Sequence, residues 1–146
     1  MKILISSFGA RGDVQPYLAL AVGLQQVGHS VTLATSATFS EWIQSYGVQT
    51  QPTCFNLQEV MQQLEVQAAL RGKNLVRQFQ LLRGVMRQTS EILEVVWSAS
   101  AEAELIIQSP TGCGVLEAAA LRGVPTLFAS LVPIMPTRAF PTYFER

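Results

Sequence analysis

The 146-residue chain is 49% hydrophobic and 14% charged, enough apolar content for one domain to bury a single substantial core. Its ten basic and ten acidic side chains cancel, which removes the net field that draws a protein to nucleic acid or to an anionic surface. Cys54 and Cys113 stand far apart with no C-x-x-C and no histidine cluster, so neither a disulfide framework nor a metal site is indicated, and both read as reduced, buried thiols.

The opening Met1-Lys2-Ile3-Leu4-Ile5-Ser6 is too short an apolar run for a secretory signal. The longest apolar stretch, residues 115–135, is broken by Glu117, Arg122, Pro125 and Pro133, against a bilayer span of about 20 residues. The expectation is a cytoplasmic protein with no membrane crossing.

Lys2 to Ser7 reads as a buried strand emptying into the loop Phe8-Gly9-Ala10-Arg11-Gly12-Asp13. A helix follows, with Pro16 in its first turn and Tyr17, Leu20, Ala21 and Leu24 at helical spacing before Gly28. Val31 to Thr35 is the second strand. Thr38 and Glu41 have the spacing of a capping box opening a short helix to about Tyr46. Val48 to Gln51, ended by Pro52, is the third strand.

From Asn56 to Ala103 there is no strand signal, and Leu75, Phe79, Leu82, Met86, Leu93 and Trp97 recur at helical intervals, with a hinge expected near Arg71-Gly72. Leu105 to Gln108 is strand four, Thr111 to Leu121 a helix, Val124 to Ser130 strand five, and the last sixteen residues a proline-rich loop. Strands alternating with helices predict an α/β fold, a Rossmann-like parallel sheet covered on both faces. Such a sheet places ligands beyond the carboxyl ends of its strands, which here are the loops 6–13, 109–114 and 130 onward.

The first loop has only two glycines and sets a carboxylate at the helix start, where it repels a pyrophosphate, so it is a poor phosphate cradle. Asp13 is the only aspartate. It reads either as a simple helix cap or, given its place beside the crevice, as a base that accepts a hydroxyl proton. His29, the only histidine, lies at the far end of the same helix, roughly 24 Å away at about 1.5 Å per residue, which excludes a His–Asp catalytic pair. Arg11-Gly12-Asp13 spells an adhesion tripeptide, but a strand-to-helix loop is the wrong setting for it. Arg71, Lys73, Arg77, Arg83 and Arg87 lie off the apolar stripe of the middle helical segment. They form either a solvated face or one that makes peripheral membrane contact.

Three stretches, Gly9-Ala10-Arg11-Gly12-Asp13-Val14-Gln15-Pro16 with its helix through Gly28-His29, Ile106 to Gly112, and Pro133 to Pro141, together resemble the N-terminal domain of glycosyltransferase family 28. The likeness is strongest to sterol glucosyltransferases and to enzymes that glycosylate glycopeptide-antibiotic aglycones, and the middle region shares only its helical character. The resemblance implies the N-terminal half of a GT-B fold over residues 1–146, short of its final strands, with a C-terminal donor-binding domain missing and to be supplied in cis or in trans. It implies a UDP-sugar donor held by that second domain and a lipid-like or polycyclic acceptor held by this one, with no transfer by this half alone. It maps the catalytic base onto Asp13. Gly9, Arg11 and Gly12, then Thr111 and Gly112, then Arg138 and Phe140, become acceptor-side residues, and no metal is implied. Plant-type relatives use a histidine near the start of the first helix, and this sequence has none there. Two other readings of the chain stay open: a non-catalytic binding module, and a dinucleotide-binding oxidoreductase domain, which the incomplete glycine fingerprint opposes.

Overall fold

A computed structural model of the chain describes residues 1–54, 92–112 and 115–132. In order they form β1 (Lys2–Ser6), α1 (Arg11–Gln26), β2 (Ser30–Ser36), a 3-10 turn (Ala37–Phe39) running into α2 (Ser40–Gln44), and β3 (Gln49–Thr53). Helix α3 (residues 92–99) and a 3-10 turn (Ser100–Glu102) lead to β4 (Leu105–Gln108), α4 (Val115–Arg122) and β5 (Thr126–Phe128). All four strand pairings are parallel, in the order β3-β2-β1-β4-β5.

Side chains alternate across a strand, and β1 divides its residues between two cores. Ile3 and Ile5 join Val31, Leu33 and Ile107 beneath Val14, Tyr17, Leu18 and Ala21 of α1 and Ile43 of α2. Leu4 faces the other way, with Ala34 and Ile106 beneath Ile92 and Val96 of α3 and Val115, Ala118 and Ala119 of α4. Ile5 and Leu33 are wholly buried, and truncating such a side chain to alanine costs about 2–5 kcal/mol.

The parallel sheet and its helices stand as the sequence implies, and several local expectations are corrected. Helix α1 begins at Arg11, so Pro16 lies inside it, past the first turn. A proline has no N–H for the carbonyl four residues back, here that of Gly12, which is exposed and open to water. The Thr38–Glu41 capping box does not form. Thr38 sits within the 3-10 turn, where it accepts from the Ser36 hydroxyl (3.2 Å), and α2 stops at Gln44. Strand β3 runs through Pro52, paired in register with Thr35, because an edge strand tolerates a missing donor. Helix α4 starts at Val115 and β5 spans three residues. Cys54 is exposed rather than buried. The Arg71-Gly72 hinge, the five basic residues from Arg71 to Arg87, Cys113, Arg138 and Phe140 lie outside the described residues. Among the described residues no helix is long and apolar enough to cross a membrane.

Candidate functional site

Strand β1 lies between β2 and β4, so the connection leaving β1 turns one way across the sheet while β4 and its loop lie on the other side. In sheets of this kind such a reversal of strand order is where the ligand crevice lies, at the carboxyl ends. The β1–α1 loop is tied down by backbone: the Ser7 N–H donates to the Ala34 carbonyl (3.1 Å), and Phe8, almost wholly buried, packs with Leu4. Gly9 then takes φ +144°, a conformation that disfavours a side chain. A Cβ there would also stand 2.5 Å from Asp13 Oδ2. Gly9 is therefore the space that the Asp13 carboxylate fills.

Asp13 is the third residue of α1 and half-buried. Its Oδ2 accepts the Ala10 N–H (2.8 Å), while its own carbonyl accepts the Ser7 hydroxyl (2.9 Å). Ala10 has no side-chain acceptor to return the bond, so only one half of a capping box is made. The carboxylate is thus a partial cap, with one oxygen anchored. Neither ion pair among the described residues involves Asp13. Asp13 thus ties down the N–H of the residue before α1 and sets a negative charge at the helix start.

The β4 loop meets the end of β1 from the other side. Ser109 N–H donates to the Ser6 carbonyl (2.9 Å), Gln108 Nε2 to the Gly112 carbonyl (2.5 Å), and the Ser109 and Thr111 hydroxyls share a 2.9 Å hydrogen bond. A Cβ on Gly112 would lie 2.9 Å from Gln108 Cγ and 3.0 Å from the Ser6 carbonyl, so only glycine lets this loop close on β1. Ser6 Oγ and Gln108 Oε1, on register partners, are buried with no hydrogen-bond partner among the described residues. The structure therefore gathers Gly9, Gly12, Asp13, Thr111 and Gly112 at the same end of two neighbouring strands.

Arg11 is exposed, and its guanidinium lies 4.7 Å from the centroid of the Trp42 ring on α2. His29 stands at the opposite end of α1, its Nδ1 3.5 Å from the Met1 amine, and takes no part in the crevice. Among the described residues no cluster of three or more His, Cys, Asp or Glu could hold a metal.

Ser7, Tyr17 and Gln108 were not foreseen as site residues. Tyr17 donates its hydroxyl to the Ala129 carbonyl (2.5 Å), joining α1 to the chain beyond β5. Burial, and then the charge of Asp13 one turn away, push its phenol above the usual range. In the sequence Tyr17 is one more member of an apolar stripe, and nothing marks its hydroxyl. The serine and glutamine at the strand ends carried a visible signal, polar residues closing apolar runs.

A parallel sheet in the order β3-β2-β1-β4-β5, with a carboxylate at its switch point, defines a Rossmann-like domain. Comparison with known proteins makes the class specific: the chain belongs to the glycosyltransferase family 28 N-terminal domain, matched over residues 3–141. The Debaryomyces hansenii sterol 3-beta-glucosyltransferase is 33% identical over 138 residues, 94% of this chain and 9% of that protein. The Komagataella phaffii enzyme of the same name is 31% identical over 143 residues, 98% of this chain and 12% of that protein. Among solved structures, the calicheamicin glycosyltransferase CalG4 superposes with a TM-score of 0.72 at 19% identity, over 96% of this chain and 34% of that one. The Streptomyces glycosyltransferase SsfS6, complexed with thymidine diphosphate, gives 0.66 at 20% identity, over 93% of this chain and 40% of that one. The fold is that of the N-terminal half of GT-B glycosyltransferases, and the chain spans a small part of the sterol glucosyltransferases it matches.

Proposed function

We propose that this chain is the acceptor-side part of a UDP-sugar-dependent hexosyltransferase acting on a lipid-like or polycyclic alcohol, with a sterol hydroxyl as the first acceptor to test. One observation carries the reading. At the switch point of the sheet stands a half-buried carboxylate, Asp13, held through one oxygen by the Ala10 N–H and free of any described cation.

In that role Asp13 accepts the proton of the acceptor hydroxyl as the oxygen bonds to the anomeric carbon of the donor and the nucleoside diphosphate leaves with its bonding pair. The transfer needs all three partners in near-attack geometry. Gly9 shapes the turn that presents the base, Gly12 lies in the helix turn beside it, and Thr111 and Gly112 form the opposite lip, with Arg138 and Phe140 assigned to the acceptor by family resemblance. Family resemblance assigns the donor to a second domain, in cis or in trans.

The test is Asp13→Asn in the two-domain enzyme, assayed for glucose transfer to a sterol. The amide keeps an oxygen for the Ala10 N–H, so the fold persists, while turnover falls by a factor of about a hundred or more. Unchanged turnover would exclude Asp13 as the base.

A further inference from the structure

We infer that Arg11 and Trp42 form a brace that holds the first turn of α1, and with it the Asp13 carboxylate, toward the crevice; Arg11 is then a positioning residue rather than an acceptor contact. The inference rests on Asp13 being the reacting carboxylate.

The first turn needs an outside hold. Pro16 gives no N–H to the Gly12 carbonyl, so the helix's own ladder lacks one bond beside the base. The turn is tied by the Asp13 and Val14 N–H groups on the Ala10 carbonyl, by the Ser7 hydroxyl on the Asp13 carbonyl and by the Ala10 N–H on its carboxylate. All of these are local to the loop and the turn, and Arg11 adds a tie to another helix. It pairs with no carboxylate among the described residues, and its guanidinium lies over Trp42.

That ring is a fixed platform. Phe39 meets it edge-on at 6.0 Å between centroids, Tyr46 at 6.4 Å, and it packs on the core beneath α1 and α2. Residues two apart on a helix point about 200° from one another, so a hold on Arg11 toward α2 steadies Asp13 on the other side without touching it. It also keeps the arginine's charge occupied with an aromatic face rather than with the base. A second pair gives an internal control: Arg122 lies 3.9 Å over Trp97 and donates to its carbonyl (3.0 Å), tying α4 to α3 away from the Asp13 turn.

The experiment measures amide hydrogen exchange by NMR on the 146-residue chain and turnover on the two-domain enzyme. Arg11→Met and Trp42→Leu should each speed exchange of the Ala10 amide by about threefold, the size of an exposed cation–π contact. The double variant should be no faster than the faster single. Turnover should fall by a similar factor with both KM values unchanged, and Arg11→Lys, which keeps the charge but not the flat fork, should recover part of it. Arg122→Met should lower stability and leave Ala10 exchange and turnover alone.

Ala10 exchange unchanged in both single variants, or effects that multiply in the double, would overturn the brace. Should Trp42→Leu fail to fold, Arg11→Met at its exposed position decides. If Asp13→Asn keeps full turnover, the base assignment fails and the exchange result stands by itself, so the two failures are told apart.

Discussion

The two ends of the sheet use charge in opposite ways. At the amino ends, Lys2 Nζ meets Glu102 at 2.7 Å and the Met1 amine lies 3.9 Å from Glu104. At the carboxyl ends, Asp13 accepts a backbone N–H and Arg11 covers an aromatic ring, although the two residues lie within one turn. Where charge serves only the surface it is neutralised by its opposite. At the carboxyl ends the carboxylate is anchored through one oxygen and has no ion-pair partner among the described residues. That contrast sets the end proposed to meet the acceptor apart from the other.

After Asp13→Asn, the largest expected effect comes from Gly9→Ala. The added methyl needs a disfavoured backbone conformation and the space of Asp13 Oδ2, so the variant should lose about 2 kcal/mol in denaturant unfolding and turnover with it. A stable, active Gly9→Ala enzyme would break the view that the loop is shaped around the carboxylate. Gly112→Ala presses on the Ser6 carbonyl and on the Gln108 side chain, and about 1–3 kcal/mol should be lost, again read from unfolding. Tyr17→Phe gives up the bond to Ala129 and should cost about 1 kcal/mol.

The smallest effect belongs to the amino end. Glu102 is held below its usual range by the hydrogen bond and charge of Lys2, and Lys2 above its own by Glu102. A depressed carboxyl adds stability above its unfolded pKa and loses it as pH falls through the folded value. The raised lysine adds its share below its unfolded pKa and loses it as pH rises through the folded value. The pair therefore favours folding between the carboxylate and lysine ranges. Both groups are fully exposed, so salt screens them, and Lys2→Ala at neutral pH should leave the melting temperature unmoved.

The fold was legible because β1, β4 and the α1 stripe carry periodicity that burial alone explains. The errors fall where tertiary context overrides local chemistry: Pro52 is allowed by its edge position, Thr38 is drawn into a 3-10 turn by Ser36, and Cys54 is left outside as β3 ends. Asp13 was legible from its place at a strand end. Its geometry was not, because the bond to Ala10 and the space at Gly9 exist only once the turn is folded. The post of Arg11 was hidden for a related reason, since its partner Trp42 lies 31 residues further along and becomes a neighbour only when α1 and α2 pack on the same face. The acceptor-side parts assigned to Arg138 and Phe140 came from resemblance alone.

With Asp13 as the base, the acceptor meets this chain at the carboxyl ends of β1 and β4. The direct measurement is an NMR titration of the isotope-labelled chain with a water-soluble sterol derivative. The competing location is the cavity of about 450 Å³ toward the amino ends, lined by residues including Lys2, Ser30, Thr32 and Glu102. Saturable shifts in the amides of Ser7 to Asp13 and of Ser109 to Gly112, with Lys2, Ser30 and Glu102 unmoved, are the predicted result. Shifts confined to Lys2, Ser30, Thr32 and Glu102 would contradict it.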